Sequence, residues 1–133
     1  MNIKSRIVKA LVSAAALSAS LWVNAQTYPE KTITVIVPFA AGGPTDTVAR
    51  LIAQSMGSTL KQQLIIENAG GAGGTIGAAR AARAAPDGYT LFLHHIGQST
   101  APALYRKLSY DAVNSFEAIG LITDVPMILV ARE

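Results

Sequence analysis

Two glycine-rich stretches hold the residues whose types and spacing could bind a ligand. The longer one runs from Asn68 to Gly77 and has five glycines in ten residues; the other, Pro38 to Asp46, reads Pro-Phe-Ala-Ala-Gly-Gly-Pro-Thr-Asp. Glycine permits positive φ and lets a ligand approach the main chain, so both stretches are typical of anion sites built from backbone N–H groups at a helix start. A flexible turn that binds nothing is the alternative for either stretch taken alone.

The charge of these stretches indicates which anion they would hold. Neither contains lysine or arginine, so main-chain N–H groups, hydroxyls and ordered water would have to bind it. A small carboxylate suits such a site better than a polyphosphate, which normally recruits a cation.

The elements around the stretches predict an α/β fold. Strands are predicted at Thr32–Val37, Leu64–Ile66 and Tyr89–Leu93, with a helix from Pro44 and another from Thr75 to Ala85. This alternation favours a parallel sheet with right-handed crossovers. Both glycine stretches would then lie at one sheet edge, beyond the carboxyl ends of the strands, where α/β proteins bind ligands.

The rest of the chain is predicted to be less regular. We expect a polar loop from His94 to Pro102, a short helical turn at Ala103–Leu108, and two further strands at Phe116–Thr123 and Met127–Ala131.

Motifs for catalysis, metals and cofactors are weak. The glycines lack the lysine of a nucleotide-binding P-loop, and the third glycine of a dinucleotide fingerprint is replaced by Ile76. The pair His94-His95 has no third metal ligand at the usual spacing, and Ser99 lies in no nucleophile elbow. We predict no catalytic residue, no metal and no cofactor. Asp46 would either cap free N–H groups of the first helix or orient a ligand-bound water.

The N-terminus is typical of a secretory signal peptide. A basic segment, residues 1–9, precedes an apolar one that is shorter than the roughly 20 residues of a membrane span, and cleavage is expected after Ala25. Three of the eleven basic residues and none of the eight acidic ones precede that point, so the remainder carries equal numbers of each. This balance argues against nucleic-acid binding. The absence of cysteine excludes a lipid anchor on that residue.

Several motifs together resemble the Bug family, the extracytoplasmic solute receptors of tripartite tricarboxylate transporters. They are Val37-Pro38-Phe39 with Ala41-Gly42-Gly43, Glu67-Asn68 with Gly71-Ala72-Gly73-Gly74, and Pro86-Asp87-Gly88-Tyr89-Thr90-Leu91. The resemblance implies a periplasmic, non-catalytic protein with a type II periplasmic binding protein-like α/β fold. Its two lobes would close over a small organic acid or amino acid and present it to the membrane subunits of the transporter.

The resemblance also implies which residues would bind the ligand. They come from the two glycine stretches and, less directly, from the loop after the third strand: Phe39, Ala40, Gly42, Gly43, Asp46, Asn68, Gly71, Ala72, Gly73, His95, Gly97 and Ser99. One departure is Ala69-Gly70, where the family usually has a basic residue and a proline. This difference would loosen the loop and change affinity or ligand choice.

The second departure is length, because family members are more than twice as long as residues 26–133. The sequence is therefore expected to be a truncated receptor, with an incomplete first lobe at 26–126 and the start of a crossover to a second lobe at 127–133. Two alternatives remain open. One is an exported α/β enzyme that uses the glycine stretches for a phosphate-bearing ligand, and the other is a non-functional truncated remnant.

Overall fold

The computed structural model describes residues 28–124. The predicted signal peptide and the predicted strand at 127–131 lie outside these residues. The elements, in chain order, are β1 (Ile33–Val37), α1 (Pro44–Leu60), β2 (Leu64–Asn68), a short 3₁₀ turn (Ala72–Gly74), α2 (Thr75–Ala82), β3 (Thr90–Phe92) and α3 (Gly97–Leu104).

The three strands form one parallel sheet in the order β2-β1-β3. In its register Val37 of β1 lies opposite Asn68 of β2, and Ile36 lies opposite Phe92 of β3. The predicted parallel α/β arrangement is confirmed. The carboxyl ends of β1 and β2 are neighbours, which brings the chain segments that follow them to the same edge.

The central strand β1 is the core of this fold. Its β-branched residues suit a strand covered on both faces, and Ile33 and Val37 are fully buried. Val35 and Val37 pack against Ala49 of α1. The N-terminal half of α1 is therefore packed against the central strand of the sheet.

Helix α1 begins at the predicted residue. Pro44 occupies the start of the helix and Gly43 is its N-cap, because proline's fixed φ suits the first turn and its missing N–H would be unpaired there in any case. The helix continues through Gly57 and ends at Leu60, after which Lys61 adopts a left-handed conformation (φ 54°).

The boundaries of four predicted elements need correction, the first being β1, which begins at Ile33 and not at Thr32. β2 continues to Asn68 and β3 is limited to Thr90–Phe92. Helix α2 ends at Ala82, and not at Ala85 as expected from the run of alanines. The reason is that the N–H groups of Arg83 and Ala84 bond to carbonyls three residues earlier, which tightens the last turn.

The prediction of a loop from His94 to Pro102 was wrong for most of that segment. Gly97 to Leu104 is a helix with Pro102 inside it, and the expected helical turn at 103–108 is only the end of that helix. Proline removes one backbone hydrogen bond near the end of this short helix. The hydroxyl groups of Ser99 and Thr100 donate to the carbonyl of Ile96, the N-cap residue at which the helix starts.

The predicted strand at Phe116–Thr123 was also wrong. Residues 116–124 have no regular structure, and Ile119 and Leu121 are 84% and 87% exposed. A strand needs a neighbouring strand to hydrogen-bond with, and within residues 28–124 this segment pairs with none.

An open apolar cleft of about 1050 Å³ lies between α1, the sheet and residues 112–122. Ile52 and Met56 of α1 line it together with Val35 and Leu91 of the sheet. This part of the fold therefore leaves an apolar face uncovered. Within residues 28–124, none of the helices combines the length and apolarity needed to cross a bilayer.

Candidate ligand-binding site

The two glycine loops lie side by side, as predicted from the parallel order of the strands. We call residues 38–43, after β1, loop 1, and residues 69–74, after β2, loop 2. The N–H of Ala69 donates to the carbonyl of Val37 at 2.8 Å. A β-carbon at Gly70 would lie 3.7 Å from the nitrogen of Ala40, so a single methyl group would fill the space between the two loops.

Asp46 joins the two loops from the first turn of α1. Its Oδ2 accepts the N–H of Gly42 at 2.7 Å and Nε of Arg50 at 2.9 Å, while its Oδ1 accepts Nδ2 of Asn68 at 2.9 Å. The same Asn68 Nδ2 donates to the carbonyl of Phe39 at 3.0 Å. Asp46 is 1% exposed, so its buried carboxylate connects loop 1 to the end of β2 from inside the fold.

The charge of Asp46 is stabilised by these partners. The hydrogen bond from Arg50, followed by those from Gly42 and Asn68, holds the pKa of the Asp46 carboxyl far below its ordinary value. Asp46 does not cap α1 as one of the two predicted roles required, because the helix has no side-chain cap and the N–H that Asp46 accepts belongs to Gly42, which precedes the helix. Because both carboxylate oxygens already accept protein hydrogen bonds, Asp46 is placed to shape loop 1.

Loops 1 and 2 leave backbone donors without protein partners. Within residues 28–124, the N–H groups of Ala40, Ala41, Gly70 and Gly71 donate no hydrogen bond. A buried or ligand-covered N–H needs an acceptor. The arrangement therefore offers four uncharged donors on two adjoining loops, which suits an acceptor-rich anion.

The backbone of loop 2 is strained at Ala72. Its φ is 46°, a left-handed conformation that disfavours residues with a β-carbon. Such outliers persist where the surrounding structure enforces them, and they cluster at ligand sites. Gly73 and Gly74 follow with φ of 63° and 94°, which their lack of a side chain allows.

The histidine pair flanks loop 1 through Phe39. The ring of His95 stacks on Phe39 with centroids 4.4 Å apart, and the ring of His94 meets Phe39 edge-on at 5.3 Å. Burial, with a smaller contribution from neighbouring His95, lowers the pKa of His94 to about 4. His94 is therefore neutral at pH 7. Within residues 28–124, no group of three or more potential ligand side chains could hold a metal ion.

Two of the less direct candidates have their polar groups engaged inside α3. The N–H of Gly97 donates to Nδ1 of His95 at 3.0 Å, and the hydroxyl of Ser99 donates to the carbonyl of Ile96 at 2.9 Å. Both donors are therefore used by neighbouring residues of the same segment, and neither is directed at loop 1 or loop 2.

Sequence reasoning missed the side chains that lie on loop 2. A β-carbon at Gly73 would collide with the hydroxyl of Tyr105, and one at Gly74 would lie 2.9 Å from Nε2 of His94. The sequence predicts His95 as a ligand contact, but neither His94 nor Tyr105. No local motif marks Tyr105, because only the helical path of 97–104 returns residue 105 to loop 2.

A parallel α/β lobe with glycine loops at adjacent strand ends is shared with periplasmic solute-binding proteins, and BugD is one that superposes on this chain. A family model described as the tripartite tricarboxylate transporter family receptor matches residues 48–133. The chain belongs to this family.

Curated relatives support the assignment over nearly all of the chain. A UPF0065 protein from the TAR-I ttuE-ttuC' intergenic region of Agrobacterium vitis is 53% identical over 134 residues, covering 99% of this chain and 38% of that protein. Protein BugT of Bordetella pertussis is 36% identical, covering 83% of this chain and 34% of BugT. The chain therefore spans little more than a third of the length of these relatives, in agreement with the expectation that family members are more than twice as long.

Solved structures give the same result for the fold. The periplasmic binding protein BugD superposes with a TM-score of 0.66 at 57% identity, over 68% of this chain and 30% of BugD. MatC from Rhodopseudomonas palustris with bound malate superposes with a TM-score of 0.64 at 54% identity, over 67% of this chain and 31% of MatC. An R. palustris protein solved with adipate superposes with a TM-score of 0.61 at 37% identity, over 64% of this chain and 29% of that protein.

Proposed function

We propose that this chain is all or part of a periplasmic receptor that captures a small carboxylic acid for a tripartite tricarboxylate-type transporter. The observation that carries the proposal is the pair of adjoining loops with four unpaired N–H groups, at Ala40, Ala41, Gly70 and Gly71. A carboxylate offers several lone pairs to such donors.

The charges near the loops favour the same ligand. The nearest cation on α1, Arg50, already bonds to Asp46, so the pair contributes little net charge. A polyphosphate would lack the cations that normally neutralise it. A small acid carries few charges, and backbone donors at the start of a helix suffice for it.

The relatives support the ligand class and the location. MatC was solved with malate and an R. palustris relative with adipate, and BugD is a periplasmic binding protein. For this chain we accordingly propose export by a signal peptide cleaved after Ala25, residence in the periplasm, and delivery of the acid to membrane subunits of a transporter. In the proposal the ligand contacts are those expected from the sequence, with Asp46 and Asn68 acting through the loops they hold.

The test is a thermal shift of the 133-residue chain against dicarboxylates, monocarboxylates, amino acids and nucleotides. A dicarboxylate at a hundred times its dissociation constant should add about 2.7 kcal/mol of stability. Stabilisation by nucleotides alone would replace the receptor by an enzyme that binds a phosphate-bearing ligand.

A pair of glycine substitutions locates the binding. A β-carbon would meet nothing within 4 Å at either Gly42 or Gly120, but Gly42 lies in loop 1 with φ 80°. Gly42→Val should abolish the shift, because the side chain blocks approach to the backbone and because a β-branched residue strains loop 1 at this positive φ, whereas Gly120→Val should preserve it. Equal shifts in both variants would place the ligand elsewhere.

A further inference from the structure

Loop 2 is covered by two polar side chains from outside the glycine stretches. The Tyr105 hydroxyl lies against Gly73 and Nε2 of His94 lies against Gly74. Tyr105 follows α3, which contacts the 3₁₀ turn of loop 2, and His94 follows β3. Two separate elements therefore place a polar atom on consecutive residues of the same loop.

Both polar atoms are available to a ligand. Within residues 28–124, the side-chain polar atoms that are shut off from solvent without a partner are Oε1 of Gln98 and Oη of Tyr110. Oη of Tyr105 and Nε2 of His94 are not among them, and neither forms a hydrogen bond in this part of the chain. Each atom therefore keeps some exposure to solvent and has no protein partner among the described residues.

The hydrogen on His94 is fixed by its neighbour. The backbone N–H of His95 donates to Nδ1 of His94 at 2.7 Å, so in the neutral ring the proton is on Nε2. The low pKa of His94 keeps the ring neutral. His94 and Tyr105 thus present uncharged N–H and O–H donors.

We propose that Tyr105 and His94 determine ligand specificity by donating hydrogen bonds to an oxygen substituent next to the ligand carboxylate, so that the chain prefers 2-hydroxy acids to their unsubstituted counterparts. The inference rests on the proposed function. The unpaired backbone donors lie at Ala40, Ala41, Gly70 and Gly71, whereas these side chains lie on Gly73 and Gly74, further along loop 2. They therefore meet the part of the ligand beyond the carboxylate.

The preference follows from desolvation. A ligand that covers loop 2 removes water from both donors. An acid without the hydroxyl leaves them unpaired, and sites built to hydrogen-bond a substrate hydroxyl discriminate strongly against analogues that lack it.

Isothermal titration of the 133-residue chain with malate and succinate, which differ by one hydroxyl, tests the proposal. The chain should bind malate more tightly. Tyr105→Phe removes one oxygen and should lower the malate preference about five-fold, the effect of one neutral hydrogen bond. Tyr110→Phe is the matched control and should keep the preference, because its hydroxyl has no access to solvent. His94→Gln, which retains an N–H donor, should preserve more of the preference than His94→Leu.

Each other result overturns the inference in a recognisable way. If the wild-type chain binds both acids equally, or Tyr105→Phe weakens both to the same extent, the specificity role is wrong and the proposed receptor function stands. If neither acid binds but another carboxylic acid does, the inference fails and the proposed receptor function stands; if no carboxylic acid binds, both fail.

Discussion

Asn68 at the end of β2 donates from one amide nitrogen to both Oδ1 of Asp46, at 2.9 Å, and the carbonyl of Phe39, at 3.0 Å. Asp46 in turn holds the N–H of Gly42. A single carboxamide therefore ties loop 1 to the strand from which loop 2 begins, and the shape of both loops depends on it.

The first prediction concerns the two hydrogen bonds donated by the Asn68 side chain. Asn68→Ala leaves the buried Asp46 oxygen and the Phe39 carbonyl without their donor, so the free energy of unfolding should fall by about 1–3 kcal/mol. Urea unfolding followed by circular dichroism measures it. Asn114→Ala is the matched control, since Asn114 also donates to an aspartate, Asp111, but in an exposed turn. It should cost less than about 1 kcal/mol, and equal losses in the two variants would contradict the role of Asn68.

The second prediction is a loss of stability in acid that depends on Asp46. The folded protein keeps Asp46 ionised well below its ordinary pKa of 3.8, mainly through the bond from Arg50. Below that pH the unfolded chain binds the proton and the folded one does not, so stability should fall as the pH drops below about 4. Asp87 and Asp111 also have lowered pKa values, so the comparison is with Asp46→Asn. The variant should have a lower free energy of unfolding than the wild type at pH 6, and that free energy should fall less as the pH is lowered. If the free energies of the two proteins fall in parallel with pH, the prediction is wrong.

The third prediction assigns a different pH window to His94. Burial lowers its pKa from 6.5 to about 4, so between these values the unfolded chain is protonated and the folded one is neutral. The free energy of unfolding should fall as the pH is lowered from 6.5 to 4. This fall should be absent in His94→Gln. Proton NMR of the His94 ring should show a midpoint near pH 4. A midpoint near 6.5 would mean that the ring is not shielded by Phe39 and Gly74.

The fourth prediction concerns the uncovered apolar cleft. Ile119 and Leu121 are exposed and border the cleft formed by α1 and the sheet. Exposed apolar patches of this kind promote association, so the isolated chain should bind a hydrophobic dye and aggregate as its concentration rises. Replacing Ile119 and Leu121 by lysine should reduce both effects. A monodisperse chain that binds no dye would show that the cleft is covered.

Much of the fold was predictable from local chemistry. The β-branched run of β1, Pro44 at the start of α1 and the glycines after β1 and β2 each act through their own backbone preferences. Together they predicted a parallel sheet with both loops at one edge. Element ends were less predictable, as at Ala82, because the N–H groups of Arg83 and Ala84 bond to carbonyls three residues earlier and end the α-helical pattern before the alanines do.

The remaining features depend on tertiary contacts. Pro102 suggested a break, but the short helix around it accommodates the missing N–H, and only that helix brings Tyr105 to Gly73. The β-branched content of residues 116–123 suggested a strand, but strands require partners. The tautomer of His94 depends on the backbone N–H of His95, which no spacing in the sequence encodes. The hydrogen bond from Asn68 to Asp46 likewise depends on the register of β1 and β2, which the sequence does not specify.

The most direct test of the account is the position of a bound carboxylate. The ¹⁵N-labelled chain should be titrated with malate while backbone amide resonances are followed. The account predicts the largest shifts at Ala40, Ala41, Gly70 and Gly71, whose N–H groups lack partners in the described fold. Shifts that cluster away from both loops, or a ligand neutralised by an arginine or lysine side chain, would contradict it.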